Sequence, residues 1–225
     1  MVTPGLRLAD IGTDHAMVPI DLVLRGRIPS ALAMDIHEGP LARARENILA
    51  QGLEADIETR LSDGLKELRW GEADCVLIAG MGGALTIRIL TDGAAVLESV
   101  TELVLAPQSE VEEVRRYVTS IGWSIEEERF ITEGGKFYPM MRLCRSEGGM
   151  PLSDLSARYG PLLLQQENAA LRQFLVRERE ILTEVERQLE KAGAARSAGR
   201  AAEIRRNLEL NREACRMVGV AESVR

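Results

Sequence analysis

Short apolar runs alternate with amphipathic segments through the first 145 residues. The apolar runs predict five buried strands, at residues 6–12, 31–36, 57–63, 73–80 and 102–107. The amphipathic segments predict helices at residues 15–26, 39–52, 84–99 and 109–122. Repeated β-then-α units joined by right-handed crossovers are typical of a doubly wound, mostly parallel α/β sheet. We therefore expect the first part of the chain to form one.

The pattern changes after the last of these helices. Residues 123–145 form two β-rich segments joined by Gly134–Gly135, which predicts an antiparallel hairpin at one edge of the sheet. Apolar residues then recur at steps of three and four over residues 162–190, and a second such stripe runs from Ile204 to Val218. With a turn within residues 191–202, the two stripes predict an antiparallel helical hairpin. We expect an α/β domain of residues 1–150 and a coiled-coil-like helical extension of residues 151–225.

Composition and charge narrow the class of protein. The 225 residues are 45% hydrophobic and 28% charged, which is typical of a soluble globular chain. The sequence has no run of eighteen apolar residues and no secretory pattern, so we expect a cytoplasmic protein that does not enter a membrane. Its three dispersed cysteines fit reduced thiols. Residues 1–150 carry 15 basic and 24 acidic side chains, whereas residues 151–225 carry 13 and 11.

The turn after the first predicted strand, "DIGTDHA", has an unusual chemistry for a nucleotide-binding loop. Gly12 is its only glycine, and Asp14 stands where a pyrophosphate would need bare amides. A dinucleotide is therefore disfavoured, and a cationic ligand is favoured. S-adenosylmethionine carries a sulfonium and an ammonium group, both of which the carboxylates of Asp10 and Asp14 would suit.

Similar residues follow the other predicted strands. In a doubly wound sheet, ligands bind beyond the carboxyl ends of the strands. There Asp35 is placed to bind ribose hydroxyls, and Asp63 could accept a hydrogen bond from an adenine amino group. The residues expected at the donor site from their positions after the strands are Asp10, Gly12, Asp35, Ile36, Asp63 and Gly64. Neither histidine has partners at metal-ligand spacing, so we expect no metal site.

Four segments together resemble one known family. "ADIGTDHAMVPI", "VLIAGMGG", "GGKFYPMMRL" and "YGPLLLQQ" are similar to the bacterial tRNA (adenine-N1)-methyltransferases that modify adenine 22. The resemblance covers nearly the whole chain. It implies a class I (Rossmann-like) methyltransferase fold, S-adenosylmethionine as donor, tRNA as substrate and a coiled-coil-like tail. The chain departs from the family at Met17, where an aromatic residue is common, and at "LAPQ" (105–108), where Leu-Gln-Pro is usual.

The resemblance also suggests roles for individual residues. It matches the aspartate near the transferred methyl group to Asp14, which we expect to be the catalytic residue. It also matches the family's cofactor-contacting turns to Asp10, Gly12, His15, Asp35, Asp63, Gly80 and Met81. Independently of the resemblance, Tyr138 or Phe137 on the predicted hairpin could stack on the target base or simply pack. Five basic side chains near the turn of the helical hairpin are candidates for binding tRNA phosphates: Lys191, Arg196, Arg200, Arg205 and Arg206. The alternatives are a class I methyltransferase acting on a small molecule or protein, and a non-catalytic donor-binding adaptor.

Overall fold

A computed structural model describes residues 1–146, 151–191 and 198–221. Within these residues the strands are β1 (Leu8–Ile11), β2 (Ala31–Asp35), β3 (Ile57–Leu61), β4 (Cys75–Ala79), β5 (Glu102–Ala106), β6 (Trp123–Glu133) and β7 (Lys136–Arg145). The helices are α1 (Met17–Leu24), α2 (Glu38–Gln51), α3 (Gly83–Asp92), α4 (Ala94–Leu97), α5 (Val111–Ser120), α6 (Asp154–Tyr159), α7 (Ala169–Lys191) and α8 (Ala198–Met217). None of the helices in these ranges is long and apolar enough to cross a membrane.

The predicted doubly wound sheet is confirmed. The strands lie in the order β3-β2-β1-β4-β5-β7-β6, and β1 to β5 are mutually parallel. The predicted terminal hairpin, β6 and β7, adds the antiparallel edge, with β7 paired to β5. Alternate residues of the central strands supply two buried layers. One layer packs against α1 and α2 and the other against α3 and α5, which explains why these strands are apolar on both sides.

Two compact units are present. The first comprises Met1–Glu127 with Pro139–Met150, and the second comprises Glu128–Tyr138 with Pro151–Arg225. The outer part of the β6–β7 hairpin thus groups with the helices, whereas the sequence pattern placed all of it in residues 1–150.

The predicted helical hairpin of the second unit is antiparallel. Leu175 of α7 lies opposite Asn211 of α8, and Glu186 lies opposite Arg205. The predicted apolar stripes form its interior, with Leu171, Leu175, Leu182, Ile204, Leu208, Cys215 and Val218 buried. The middle of the predicted turn, residues 192–197, lies outside the described residues.

A polar network interrupts this apolar interior. Asn211 is fully buried and donates through Nδ2 to the carbonyl of Leu175 and to the Glu178 carboxylate. Glu178 also accepts hydrogen bonds from Arg158 and from the hydroxyl of Tyr159, both at 2.7 Å. Glu178 and Asn211 lie in register with the two apolar stripes of the sequence, and each satisfies the other inside the hairpin.

Two predicted helices begin or break where tertiary contacts intervene. The helix expected over 84–99 is divided at Gly93, where the backbone packs so closely on Leu65 that a side chain would meet it within 3 Å. The helix expected from residue 162 begins at Ala169, and the backbone before it forms α6 and a 3₁₀ turn at Leu163–Gln165. Asn168 fixes the start of α7 by accepting from the Leu171 amide and donating to the carbonyl of Phe130.

The turns after β4 and β5 pack closely against each other. Gly83 opens α3, and a side chain there would lie 2.6 Å from the Ser109 carbonyl oxygen. The Glu110 carboxylate accepts from the Ala84 amide, and the Ser109 hydroxyl accepts from the Gly83 amide. These acceptors satisfy free amides at the start of α3, so the contact requires glycine at residue 83 and a carboxylate at residue 110.

We expect Gly83→Ala to destabilise the fold, because its methyl group would collide with backbone atoms. Gly39→Ala is the matched control. Gly39 also lies in the first turn of a helix, but nothing lies within 4 Å of the position its side chain would take. Urea unfolding should show Gly83→Ala losing about 1–3 kcal/mol and Gly39→Ala gaining up to about 1 kcal/mol. Equal stabilities for the two variants would contradict the packing described here.

Candidate active site at the carboxyl edge of the sheet

The order of the strands reverses between β1 and β4, so a crevice opens beyond their carboxyl ends. The turn after β1 lies at this point. Its amides are already in use, because Gly12 and Thr13 both donate to the Met34 carbonyl, at 2.8 and 2.9 Å. A phosphate group would find neither of these donors free. The turn instead offers carboxylates, as the sequence indicates.

Asp10 is a buried carboxylate at the end of β1. Its side chain is 7% exposed, and burial raises its pKa to about 6, with the negative charge of Asp35 adding to the increase. The hydroxyl of Thr13 lies close enough to lower this pKa in part, but it makes no hydrogen bond of good geometry in the described structure. A buried acid and an orphaned hydroxyl therefore lie together in one turn, where a cationic, hydrogen-bonding ligand would satisfy both.

Asp14 lies at the mouth of the same turn. Its side chain is 74% exposed, with Oδ1 lying 3.1 Å from His15 Nε2 and 3.9 Å from an Arg43 guanidinium nitrogen. The carboxylate is thus free to face a second ligand while two basic groups define its position. His15 lies half-buried, with its Nε2 beside the Asp14 carboxylate.

The backbone after Asp14 is strained. His15 and Ala16 both have left-handed conformations, with φ of 61° and 55°, which explains why α1 begins at Met17 rather than at residue 15. Asn47, on α2, donates through Nδ2 to the His15 carbonyl at 2.9 Å. This hydrogen bond ties the strained turn to a helix, so Asn47 helps to hold the segment that carries Asp14.

The turns after β2 and β3 hold the second pair of predicted residues. One carboxylate oxygen of Asp35 accepts from the His37 amide at 2.7 Å, which leaves the other for a ligand, and Ile36 is 52% exposed beside it. Asp63 is bound by Lys66 and by Arg88, and the Lys66 ammonium holds the pKa of Asp63 below its usual range. Gly64 has a φ of 62° and packs against Ile89, a structural reason for glycine there.

Gly80 and Met81 follow β4. The Met81 side chain lies over Gly12, where a side chain would meet its Cε atom at 2.0 Å. Gly12 thus permits the turns after β1 and β4 to meet. Gly80 has a φ of 78° and is exposed, so its missing side chain leaves open space at the crevice.

These residues fit S-adenosylmethionine. The buried Asp10 carboxylate is suited to an ammonium group, the Thr13 hydroxyl lacks a partner, and Asp35 keeps a free oxygen for ribose. Exposed Ile36 can cover an adenine ring. Among the described residues, no group of three or more His, Cys, Asp or Glu side chains is arranged to hold a metal ion.

The model of the tRNA (adenine(22)-N(1))-methyltransferase family matches residues 8–213. The chain belongs to this family. The Bacillus subtilis tRNA (adenine(22)-N(1))-methyltransferase is 32% identical over 169 residues, which cover 73% of this chain and 71% of that protein. The resemblance expected from the four sequence segments is confirmed, as is the class I methyltransferase fold.

Two solved structures of relatives contain ligands. A Streptococcus pneumoniae protein in complex with S-adenosyl-L-methionine has a TM-score of 0.84 and 33% identity, covering 94% of this chain and 93% of its own. The Mycoplasma capricolum enzyme in complex with S-adenosyl-homocysteine has a TM-score of 0.86 and 25% identity, covering 97% and 94%. S-adenosylmethionine is the methyl donor of this family.

The residues expected to contact tRNA lie in the second unit. Tyr138 is half-buried, and its neighbour Phe137 packs in a cluster with Phe130 and Phe174. Lys191 is exposed. Three of the predicted arginines already pair with carboxylates, as Arg200 with Glu203, Arg205 with Glu186 and Arg206 with Asp154. Arg196 lies outside the described residues.

Thr13, Asn47 and Glu110 lie at this crevice and were missed by the sequence reasoning, as was Gln108, whose Nε2 lies 3.9 Å from the position a side chain at Gly80 would take. Asn47 and Glu110 act on turns that lie 32 and 26 residues away in the chain. Thr13 lies within "DIGTDHA", where the sequence reasoning considered the neighbouring carboxylates and not the hydroxyl. The sequence reasoning took "LAPQ" only as a departure that removes one polar contact near the base, although the same segment carries Gln108.

Asp10→Asn should stabilise the protein without donor while weakening donor binding. Because the folded state raises the pKa of Asp10, ionisation lowers the free energy of unfolding as pH rises from about 4 to about 6, by about 3 kcal/mol. The stability difference between Asp10→Asn and the wild type should therefore grow over this range and level off above it. Denaturant unfolding at several pH values measures it, with exposed Asp21→Asn as control. A constant difference between pH 4 and pH 7 would refute the assigned desolvation.

Asn47→Asp should lower turnover more than donor affinity. The aspartate side chain has the same shape but, when ionised, cannot donate to the His15 carbonyl, so the turn carrying Asp14 loses a support. We expect kcat to fall about tenfold, the equivalent of one lost hydrogen bond of about 1.4 kcal/mol. Asn47→Gln, which keeps the donor, should recover part of kcat. An unchanged kcat in Asn47→Asp would show that the bond has no positioning role.

Proposed function

We propose that this protein transfers a methyl group from S-adenosylmethionine to N1 of adenine 22 in tRNA. The observation that supports this most directly is the turn after β1, in a chain that belongs to the adenine-22 methyltransferase family. That turn places a buried carboxylate at Asp10 and an exposed one at Asp14, four residues apart. One is suited to hold a cationic donor, and the other is suited to face the acceptor.

The donor contributes a methyl group already activated by its sulfonium. The work of this chain is to orient the two reactants and to exclude water between them. Asp10 binds the donor's ammonium group, Asp35 accepts from the ribose hydroxyls, and Ile36 covers the adenine. Asp63, already bound to two basic side chains, keeps lone pairs that can accept from the adenine amino group.

Asp14 is the proposed catalytic residue. Attack by adenine N1 leaves a positive charge on the methylated ring. A carboxylate beside the ring stabilises that charge as it develops. His15 and Arg43 lie within 4 Å of Asp14 and hold its carboxylate in place, and the Asn47 hydrogen bond supports the turn beneath it.

Access to N1 requires an unpaired or flipped base, since N1 lies on the pairing edge of adenine. Tyr138 is proposed to contact that base. Lys191 and the arginines near the helical turn, including Arg196, Arg200, Arg205 and Arg206, are proposed to bind tRNA phosphates. Exposed ion pairs contribute only about 0–1 kcal/mol, so the observed carboxylate partners can be exchanged for phosphates at little cost.

Mass spectrometry of nucleosides tests the function. Unmodified tRNA carrying adenine at position 22 is incubated with protein and donor, in parallel with a tRNA carrying guanine there. N1-methyladenosine should form only in the first. A labelled methyl group found on a small molecule or protein instead would favour a different class I methyltransferase, and donor binding without any transfer would favour an adaptor.

Asp14→Asn should lower the rate of this reaction while leaving donor binding nearly intact. The amide keeps the shape of the side chain but cannot stabilise a cationic product. We expect at least a tenfold loss of turnover at saturating donor and tRNA, or about 1.4 kcal/mol in the transition state. Asp21→Asn, another exposed aspartate, which pairs with Arg25 on α1, is the matched control and should be fully active. Full activity in Asp14→Asn would remove Asp14 from the mechanism.

The basic residues of the helical hairpin should contribute to tRNA affinity. Replacing Lys191, Arg200, Arg205 and Arg206 together by Gln should weaken tRNA binding and make its dependence on salt less steep, because fewer counterions are released. Glu203→Gln is the opposite control, because it frees Arg200 and should strengthen binding. Filter binding at several salt concentrations measures both. Wild-type affinity and salt slope in the fourfold variant would place the tRNA contacts elsewhere.

A further inference from the structure

Gln108 presents an uncommitted amide at the carboxyl edge of the sheet. It follows β5, and its main-chain nitrogen donates to the Met81 carbonyl at 2.8 Å, which fixes it beside the turn after β4. Its side chain is exposed and has no hydrogen-bond partner in the described structure. A side chain at Gly80 would point at Gln108 Nε2, 3.9 Å away. The amide therefore borders the open space above Gly80.

This space lies where the methyl acceptor should bind, if the proposed function holds. The groups suited to the donor's adenosine, Asp35 and Asp63, follow β2 and β3, and the carboxylate suited to its ammonium, Asp10, ends β1. The transferable methyl group must then face away from β2 and β3, towards β4 and β5. Gly80 and Gln108 follow these last two strands.

The neighbouring polar side chains on that flank are already engaged. The Ser109 hydroxyl accepts from the Gly83 amide, and the Glu110 carboxylate accepts from the Ala84 amide. Both therefore serve the start of α3. Among the side chains of the turn at residues 107–110, the amide of Gln108 is the one available to a ligand.

The chemistry of N1 methylation restricts how adenine can be recognised. The pairing edge must stay open for attack, so a recognising group has to use the other edge, which carries the 6-amino group and N7. A glutamine amide matches that edge with two hydrogen bonds, accepting from the amino group and donating to N7. Guanine presents two acceptors there, O6 and N7, and would leave the amide oxygen opposed to an acceptor.

We propose that Gln108 is the residue that recognises the target adenine, through its 6-amino group and N7. The role is one of substrate specificity and rests on the proposed function. It predicts that the side-chain amide and adenine N7 contribute to one and the same interaction.

The test removes each partner in turn. Substrates are tRNA with adenosine at position 22 and the same tRNA with 7-deazaadenosine, which lacks the N7 acceptor. For the wild type, 7-deazaadenosine should lower kcat/KM about tenfold. It should lower tRNA affinity, measured in the presence of S-adenosylhomocysteine, by about the same factor, because one hydrogen bond is lost. Gln108→Leu, which removes both hydrogen bonds, should lose at least as much with natural tRNA and show no further loss with 7-deazaadenosine.

Controls separate recognition from folding. Gln51→Leu, an exposed glutamine on α2, should retain the full sensitivity to 7-deazaadenosine. Donor affinity and thermal unfolding of Gln108→Leu should match the wild type, since the side chain packs against no partner. If Gln108→Leu keeps the wild-type rate, or remains as sensitive to 7-deazaadenosine as the wild type, the inference is wrong. Failure of the proposed function itself would give a different result, because the wild type would then form no N1-methyladenosine even on natural tRNA.

Discussion

A carboxylate removed from water at the end of the first strand governs the donor site. Burial alone would favour a neutral Asp10, and its pKa near 6 leaves it mostly ionised at neutral pH at a cost in stability. A positively charged ligand offsets this loss of stability, whereas a phosphate would increase it. The same residue therefore destabilises the protein without donor and selects the charge of what it binds. This is a common trade between stability and function.

Close contacts between turns hold the rest of the crevice together. Met81 lies over Gly12, Gly83 lies against the Ser109 carbonyl, and Asn47 supports the left-handed backbone after Asp14. Each contact joins a turn to another part of the chain that lies far away in sequence. The crevice is thus held by backbone proximity and a few side-chain hydrogen bonds, with Asp10 buried at its base and Asp14 and Ile36 exposed at its edge.

The parts of the fold that can be predicted from the sequence are those with a regular pattern of apolar residues. Strands buried on both faces are continuous apolar runs, and the helical hairpin shows its interior at steps of three and four, including Glu178 and Asn211, which prove to be bonded to each other. The aspartates were found because they follow strands. The close packing of Gly93 on Leu65, 28 residues earlier, could not be predicted, because it exists only in the folded chain. Asn47 and Glu110 were missed for the same reason, because their partners are defined only by the folded chain.

Proton exchange on donor binding tests the central claim, that the buried Asp10 carboxylate holds the cation of the donor. Calorimetry at pH 6, in buffers of different ionisation enthalpy, counts the protons released when S-adenosylmethionine binds. Near the pKa of Asp10 about half of the molecules carry the proton, and binding a cation should expel it, so we expect about half a proton released per donor. Asp10→Asn should show no release at pH 6, where the donor's own amino group is already protonated. Donor binding to the wild type at pH 6 without proton release would contradict the account.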